Sequence, residues 1–180
     1  MMVEEILQTV KSELTKRGAI VSDSDAVAEL ESRGYGERKG KKLTLKDYEA
    51  AYLMYNDKIE LNRKGKPVMF EEFISHTLKK NNDAWTGFLI YRDLRSRGYV
   101  VREGFGFGVD FRLYNRGDFD KKPAKYVIFG LNEGSRLSAK KLSDTVHQIS
   151  RMGKDPIIAV IERRGEVIYY RASRAKFKES

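Results

Sequence analysis

Apolar residues recur along this chain in two rhythms, one helical and one alternating, and their order gives a first map of the fold. Val3, Ile6, Leu7, Val10 and Leu14 fall three or four residues apart, which predicts an amino-terminal helix. Residues 19–21 read as a short apolar strand, and residues 22–26 open a second helix with Ser22 or Asp23 as its cap. Residues 34–42 read as a loop rich in glycine and charge. Thr44, with Asp47 three residues later, has the spacing of a capping box in acidic form and opens a helix through Ala50, Ala51, Leu53 and Met54. A short strand at 59–61, a turn at 65–67 and a helix carrying Phe70, Phe73, Ile74 and Leu78 complete a small α+β domain over residues 1–80.

Asn81, Asn82 and Asp83 mark the domain boundary, three polar residues that also offer a cap. The second domain, residues 81–180, begins with a helix over 84–96 whose apolar face carries Trp85, Phe88 and Leu89. Gly98 stops it. Strands follow at 99–101 and 109–114, the latter alternating Val109, Phe111 and Leu113 with Asp110, Arg112 and Tyr114. A third strand covers 126–131 and a loop covers 132–135. Leu142, Val146, Ile149 and Met152 place a helix with one core face. A buried strand at 157–161, a turn at Gly165 and a last strand at 167–170 follow. Helix, strands, helix, strands predicts an α/β (α+β) fold with a mixed sheet flanked by helices. No internal repeat stands out.

Composition narrows the chemistry. There are no cysteines, which excludes disulfides, thiolate metal sites and cysteine nucleophiles. His76 and His147 are the only histidines, too few for a histidine-rich metal site, so no metal or other cofactor is expected. No apolar run is long enough to span a membrane, and the acidic start MMVEEILQTVKSEL is not a secretory signal, which points to a cytoplasmic protein. The net charge of +9 favours an anionic partner, above all nucleic acid. The cations concentrate in 38–42, 92–102 and 163–178.

The most distinctive stretch is YRDLRSRGYVVREGFGFGVDFRLYNRG, residues 91–117. Together with LTLKDYEAAYL at 43–53, PVMFEEF at 67–73 and GKDPIIAVIERRGEVIYY at 153–170, it resembles the archaeal tRNA-intron splicing endonucleases. The resemblance implies a nuclease-like carboxy-terminal domain. It also implies oligomeric assembly, and metal-free cleavage of precursor tRNA that leaves 2',3'-cyclic phosphate and 5'-hydroxyl ends. It places the family's catalytic tyrosine on Tyr114 and its catalytic lysine on Lys154. Arg171, Arg174 and Lys176, in the basic carboxy-terminal segment, are the candidates for RNA contact.

Such a lyase needs a base for the 2'-hydroxyl, an acid for the departing 5'-oxygen and a cation beside the phosphate. In the family a histidine is the acid. Its slot falls here near Pro123, in KKPAKY, and no histidine lies between Tyr114 and Tyr126. Proline transfers no proton. Lys121, Lys122 and Lys125 supply charge, but a lysine near pKa 10.4 suits the role less well than a histidine near 6.5. His147, on the following helix, is outside the slot.

The resemblance therefore points to the structural subunit of a two-subunit-type endonuclease, partnered by a paralogous catalytic chain and acting on bulge-helix-bulge RNA. Two alternatives stay open: a self-sufficient catalytic subunit using Tyr114 and Lys154, and a non-enzymatic RNA-binding protein on the same fold. The apolar strand at 167–170 is a candidate self-association edge. The loop at 132–135, where Glu133 is the one acidic residue, falls where the family docks into a neighbour. Gly104, Gly106 and Gly108 have the spacing of a tight turn rather than a phosphate loop. Asp110 has no acidic companion on the next strand to hold a divalent ion, so it reads as a structural hydrogen-bonding or ion-pairing residue.

Overall fold

The computed structural model describes residues 9–108, 110–132, 134–175 and 177. The chain divides between Tyr91 and Arg92 into two compact units, and the helix α4 (Ala84–Ser96) runs across the division. The mixed α+β character expected of the chain is present in both.

The first unit is a six-stranded sheet with helices α1 (Ser24–Ser32), α2 (Asp47–Tyr55) and α3 (Phe70–Leu78). Its strands are β1 (Val10–Thr15), β2 (Gly18–Val21), β3 (Glu37–Lys39), β4 (Lys42–Lys46), β5 (Ile59–Arg63) and β6 (Lys66–Pro67). They lie in the order β3-β4-β2-β1-β5-β6. Three expectations are corrected here. Of the predicted amino-terminal helix, residues 1–8 lie outside the described residues, and Val10 and Leu14 lie on a strand. The segment VKSELT satisfies a helical spacing and also a period of two. The second wins because residues 10–13 pair parallel with β5 and residues 13–15 antiparallel with β2, so every residue along β1 has a ladder partner. The predicted loop at 34–42 contains β3 and the start of β4. Thr44 is a strand residue; α2 is capped instead by Glu49, whose Oε2 accepts from the Lys46 N–H at 2.8 Å. Asp23 caps α1 as predicted, accepting from the Ala26 N–H at 2.9 Å.

Leu30, Leu43, Leu45, Leu53 and Phe73 are fully buried in this unit, each burial contributing roughly 2 kcal/mol. Beside them the Tyr91 ring lies 4.9 Å from Tyr48 and 5.6 Å from Tyr52. Phe88 lies 5.8 Å from Tyr55 and 5.5 Å from Phe70. These rings anchor the amino-terminal end of α4.

The second unit is a five-stranded mixed sheet, ordered β11-β10-β9-β8-β7. Its strands are β7 (Val100–Glu103), β8 (Asp110–Tyr114), β9 (Tyr126–Asn132), β10 (Asp155–Ile161) and β11 (Val167–Arg171). β9 and β10 are parallel and joined through α5 (Ala139–Arg151); every other pairing is antiparallel. Val127 and Phe129 pack with Val146 and Ile149 of α5, and Leu142 and Ile158 close the cluster. On α4, Asp93 accepts a hydrogen bond from the Tyr169 hydroxyl at 2.7 Å, and the Arg97 guanidinium lies over the Tyr169 ring at 5.6 Å. Burial and the neighbouring Asp93 push the Tyr169 hydroxyl far above its usual range, so it remains a donor.

Candidate active site

The sheet register brings Tyr114 and Lys154 to one edge. Leu113 of β8 lies opposite Tyr126 of β9, and Tyr126 lies opposite Asp155 of β10. One step further out stand Tyr114, Lys125 and Lys154 on three neighbouring strand ends, all on the same face because facing residues share a face. The Asp155 N–H donates to the Lys125 carbonyl at 2.9 Å, which carries the ladder to that edge. Two strand spacings put the Tyr114 and Lys154 backbones about 10 Å apart.

Each of the two is held by local structure. α5 ends with Met152 at its cap and Gly153 at φ 71°. The Lys154 N–H donates to the Ile149 carbonyl and the Gly153 N–H to the Ser150 carbonyl, a Schellman motif. Strand β10 begins at the next residue, so helix stop and strand start together fix where Lys154 leaves the backbone. Its half-buried ammonium donates to the Ala124 carbonyl at 2.7 Å. Tyr114 ends β8, also half-buried, with Phe119 edge-on to its ring at 5.5 Å. The Arg102 guanidinium lies over the other ring of that pair, 5.8 Å from the Phe119 centroid.

The connection between β8 and β9 folds back on itself. Asn115 Nδ2 donates to Asp118 Oδ2 at 3.0 Å, and Lys122 pairs with Asp118 at 2.7 Å. The Lys122 and Asn115 hydrogen bonds hold the Asp118 carboxyl below its usual range. Pro123, where the family histidine is expected, is exposed and one residue before the carbonyl that Lys154 grips. Lys121, Lys122 and Lys125 are exposed around it. His147 is exposed on α5, its Nδ1 3.2 Å from a guanidinium nitrogen of Arg174.

Arg171 ends β11 and pairs with Asp155 at 2.9 Å, beside Lys154 in sequence. The Ala172 N–H then donates to the Pro156 carbonyl at 3.1 Å, so the carboxy-terminal segment continues along the start of β10. This places Arg171 at the sheet edge that carries Lys154, whereas Arg174 lies against His147 of α5; both are exposed. Lys176 and Glu133 lie outside the described residues.

The glycine turn belongs elsewhere. It joins β7 to β8 at the opposite end of the strand from Tyr114, and the Asp110 carboxylate organises it by accepting from the Phe105 and Phe107 N–H groups. Burial nevertheless pushes the Asp110 carboxyl above its usual range. Among the described residues no three histidine or carboxylate side chains group as metal ligands, and no helix is long and apolar enough to cross a membrane. Two groups that touch Tyr114 and Lys154 lie outside the residues expected from the sequence. Phe119 was legible as a lone aromatic in a charged loop. The Ala124 carbonyl was not, because a backbone acceptor leaves no side-chain signature.

Comparison with known families matches residues 10–74 to the tRNA intron endonuclease N-terminal domain and residues 84–169 to the tRNA intron endonuclease catalytic C-terminal domain. The chain is 31% identical over 172 residues to a tRNA-splicing endonuclease of Methanococcus vannielii, covering 94% of this chain and 96% of that one. It is 33% identical over 171 residues to a tRNA-splicing endonuclease of Thermococcus onnurineus, covering 94% and 99%. A tRNA-splicing endonuclease of Methanosarcina mazei is 31% identical over 174 residues, which span 96% of this chain but 48% of that longer one.

Proposed function

The chain belongs to the tRNA intron endonuclease family, and we propose that it serves there as the structural subunit of an enzyme that excises introns from precursor tRNA. The cleavage is metal-free, at bulge-helix-bulge sites, and leaves 2',3'-cyclic phosphate and 5'-hydroxyl ends. One observation carries this reading. The strand ends present a phenol at Tyr114 and an ammonium at Lys154, but the connection between β8 and β9 holds no histidine, and the slot expected for the acid carries Pro123. A paralogous chain with a histidine in that slot supplies the cleaving site.

This chain contributes fold, docking edge and positive surface. β11 is the outer strand of its sheet, and Tyr170 is 53% exposed, which suits pairing with a second subunit. Arg171, Arg174 and Lys176 contact RNA phosphates. The unmatched interval 75–83 contains the boundary at 80/81 and supports a domain limit there, so that α4 opens the endonuclease-like domain. The site of action is the cytoplasm, where precursor tRNA is the substrate.

A second reading is favoured by the retention of Tyr114 and Lys154 on one face of one edge: the chain cleaves by itself, without the histidine. One assay separates the two. Purified chain is incubated with a bulge-helix-bulge precursor in EDTA, alone and with a paralogue that carries the histidine. Cleavage only in the mixture is the expected result. Robust cleavage by the chain alone that Tyr114→Phe abolishes would sink the structural-subunit reading.

A further inference from the structure

The tetrapeptide Arg-Lys-Gly-Lys occurs twice in the first unit, at 38–41 and at 63–66, and each copy forms a two-residue hairpin at an outer edge of the six-stranded sheet. Each hairpin closes on two cations directly opposite one another, Lys39 with Lys42 and Arg63 with Lys66. Facing like charges destabilise a strand pair. At the second hairpin Glu72 lies 3.6 Å from Arg63 and relieves the repulsion. At the first hairpin nothing comparable happens. Glu31 pairs with Arg38 at 2.8 Å, and Arg38 Nε donates to the Gly40 carbonyl at 3.1 Å, so the arginine braces the turn against α1. Lys39, Lys41 and Lys42 are exposed, and among the described residues none has a carboxylate partner. Three ammonium groups are thus held on a braced turn, two of them face to face, in an arrangement that an anion between them stabilises.

We propose that the β3–β4 hairpin is a contact for the RNA phosphate backbone, with Lys39, Lys41 and Lys42 as its ligands. The proposal rests on precursor tRNA being the substrate. It adds an RNA-binding element in the amino-terminal unit to those at Arg171 and Arg174. Ammonium groups that neutralise regularly spaced phosphates make a contact independent of sequence.

The test is equilibrium binding of the full chain to an unspliced precursor-tRNA transcript over a range of salt concentrations. The hairpin variant K39Q/K41Q/K42Q is compared with K11Q/K16Q/K79Q, which removes equal charge from exposed lysines elsewhere in the unit. The expected result is a salt slope shallower by about two to three units in the hairpin variant, roughly one per lysine, with binding weakened at low salt. K39R/K41R/K42R retains the wild-type slope, and the thermal midpoints show that all variants fold. Wild-type binding that the hairpin variant reproduces overturns the proposal and leaves the lysines as protection of the sheet edge. Equal losses in both glutamine variants also overturn it, as an effect of net charge. If the wild-type chain does not bind the transcript, the precursor-tRNA reading falls and this proposal falls with it.

Discussion

Pro123 carries the functional argument at the scale of single residues. Its side chain is exposed and its neighbour Ala124 supplies the carbonyl that holds Lys154, so a histidine there adds a titrating group without disturbing the core. Pro123→His is expected to raise metal-free cleavage by the chain about a hundredfold, the low end of what a positioned acid contributes. The gain should fall away as pH rises above the histidine range, and a variant no faster than wild type in single-turnover assays would count against the slot. Asp110 makes a separate claim about stability. Burial raises its folded pKa, so its contribution is fully present below the unfolded value of about 3.9 and is lost as pH rises through the folded value. The wild-type chain is therefore expected to gain on Asp110→Asn in thermal midpoint as the buffer goes from neutral to acid. A pH-independent gap between the two would refute that.

Elements explain why these residues end up together. The Schellman turn at the end of α5 needs a left-handed residue, and Gly153 at φ 71° provides it with no Cβ to oppose it. Gly153→Ala should cost about 1 kcal/mol by denaturant titration and should displace Lys154. The two Arg-Lys-Gly-Lys hairpins show how far local sequence goes. At the first, Gly40 (φ 62°) takes the leading turn position, a type II′ arrangement; at the second, Lys64 (φ 51°) and Gly65 (φ 77°) make a type I′ turn. The same four letters settle one residue apart in register, because the flanking strands and not the turn decide which residues face each other. The ambiguity of VKSELT has the same origin: its spacing fits either period, and only pairing partners distant in sequence choose between them. Helices with a single apolar face, such as α5, needed no such information and were legible from the start.

At the scale of the whole molecule, the mixed α+β character was visible in the order of elements, and Tyr114 and Lys154 were candidates through motifs. Their common edge was not visible, because it depends on two successive registers, β8 with β9 and β9 with β10, that no local pattern fixes. The carboxy-terminal strand is secured by a polar contact as well as by the ladder. Tyr169→Phe removes the hydroxyl from Asp93 and is expected to cost about 1 kcal/mol, with Arg97 still satisfying the carboxylate. Unchanged stability in this variant would show that β11 is held by its pairing with β10 alone. The edge itself has an uneven construction. Tyr114 and Lys154 sit at strand ends that the hydrogen-bonded ladder fixes, whereas residue 123 sits in a connection that the ladder leaves alone. Under the structural-subunit proposal, the donor at residue 123 is exchanged or lost by change in one exposed loop, while the rest of the edge is inherited as a unit.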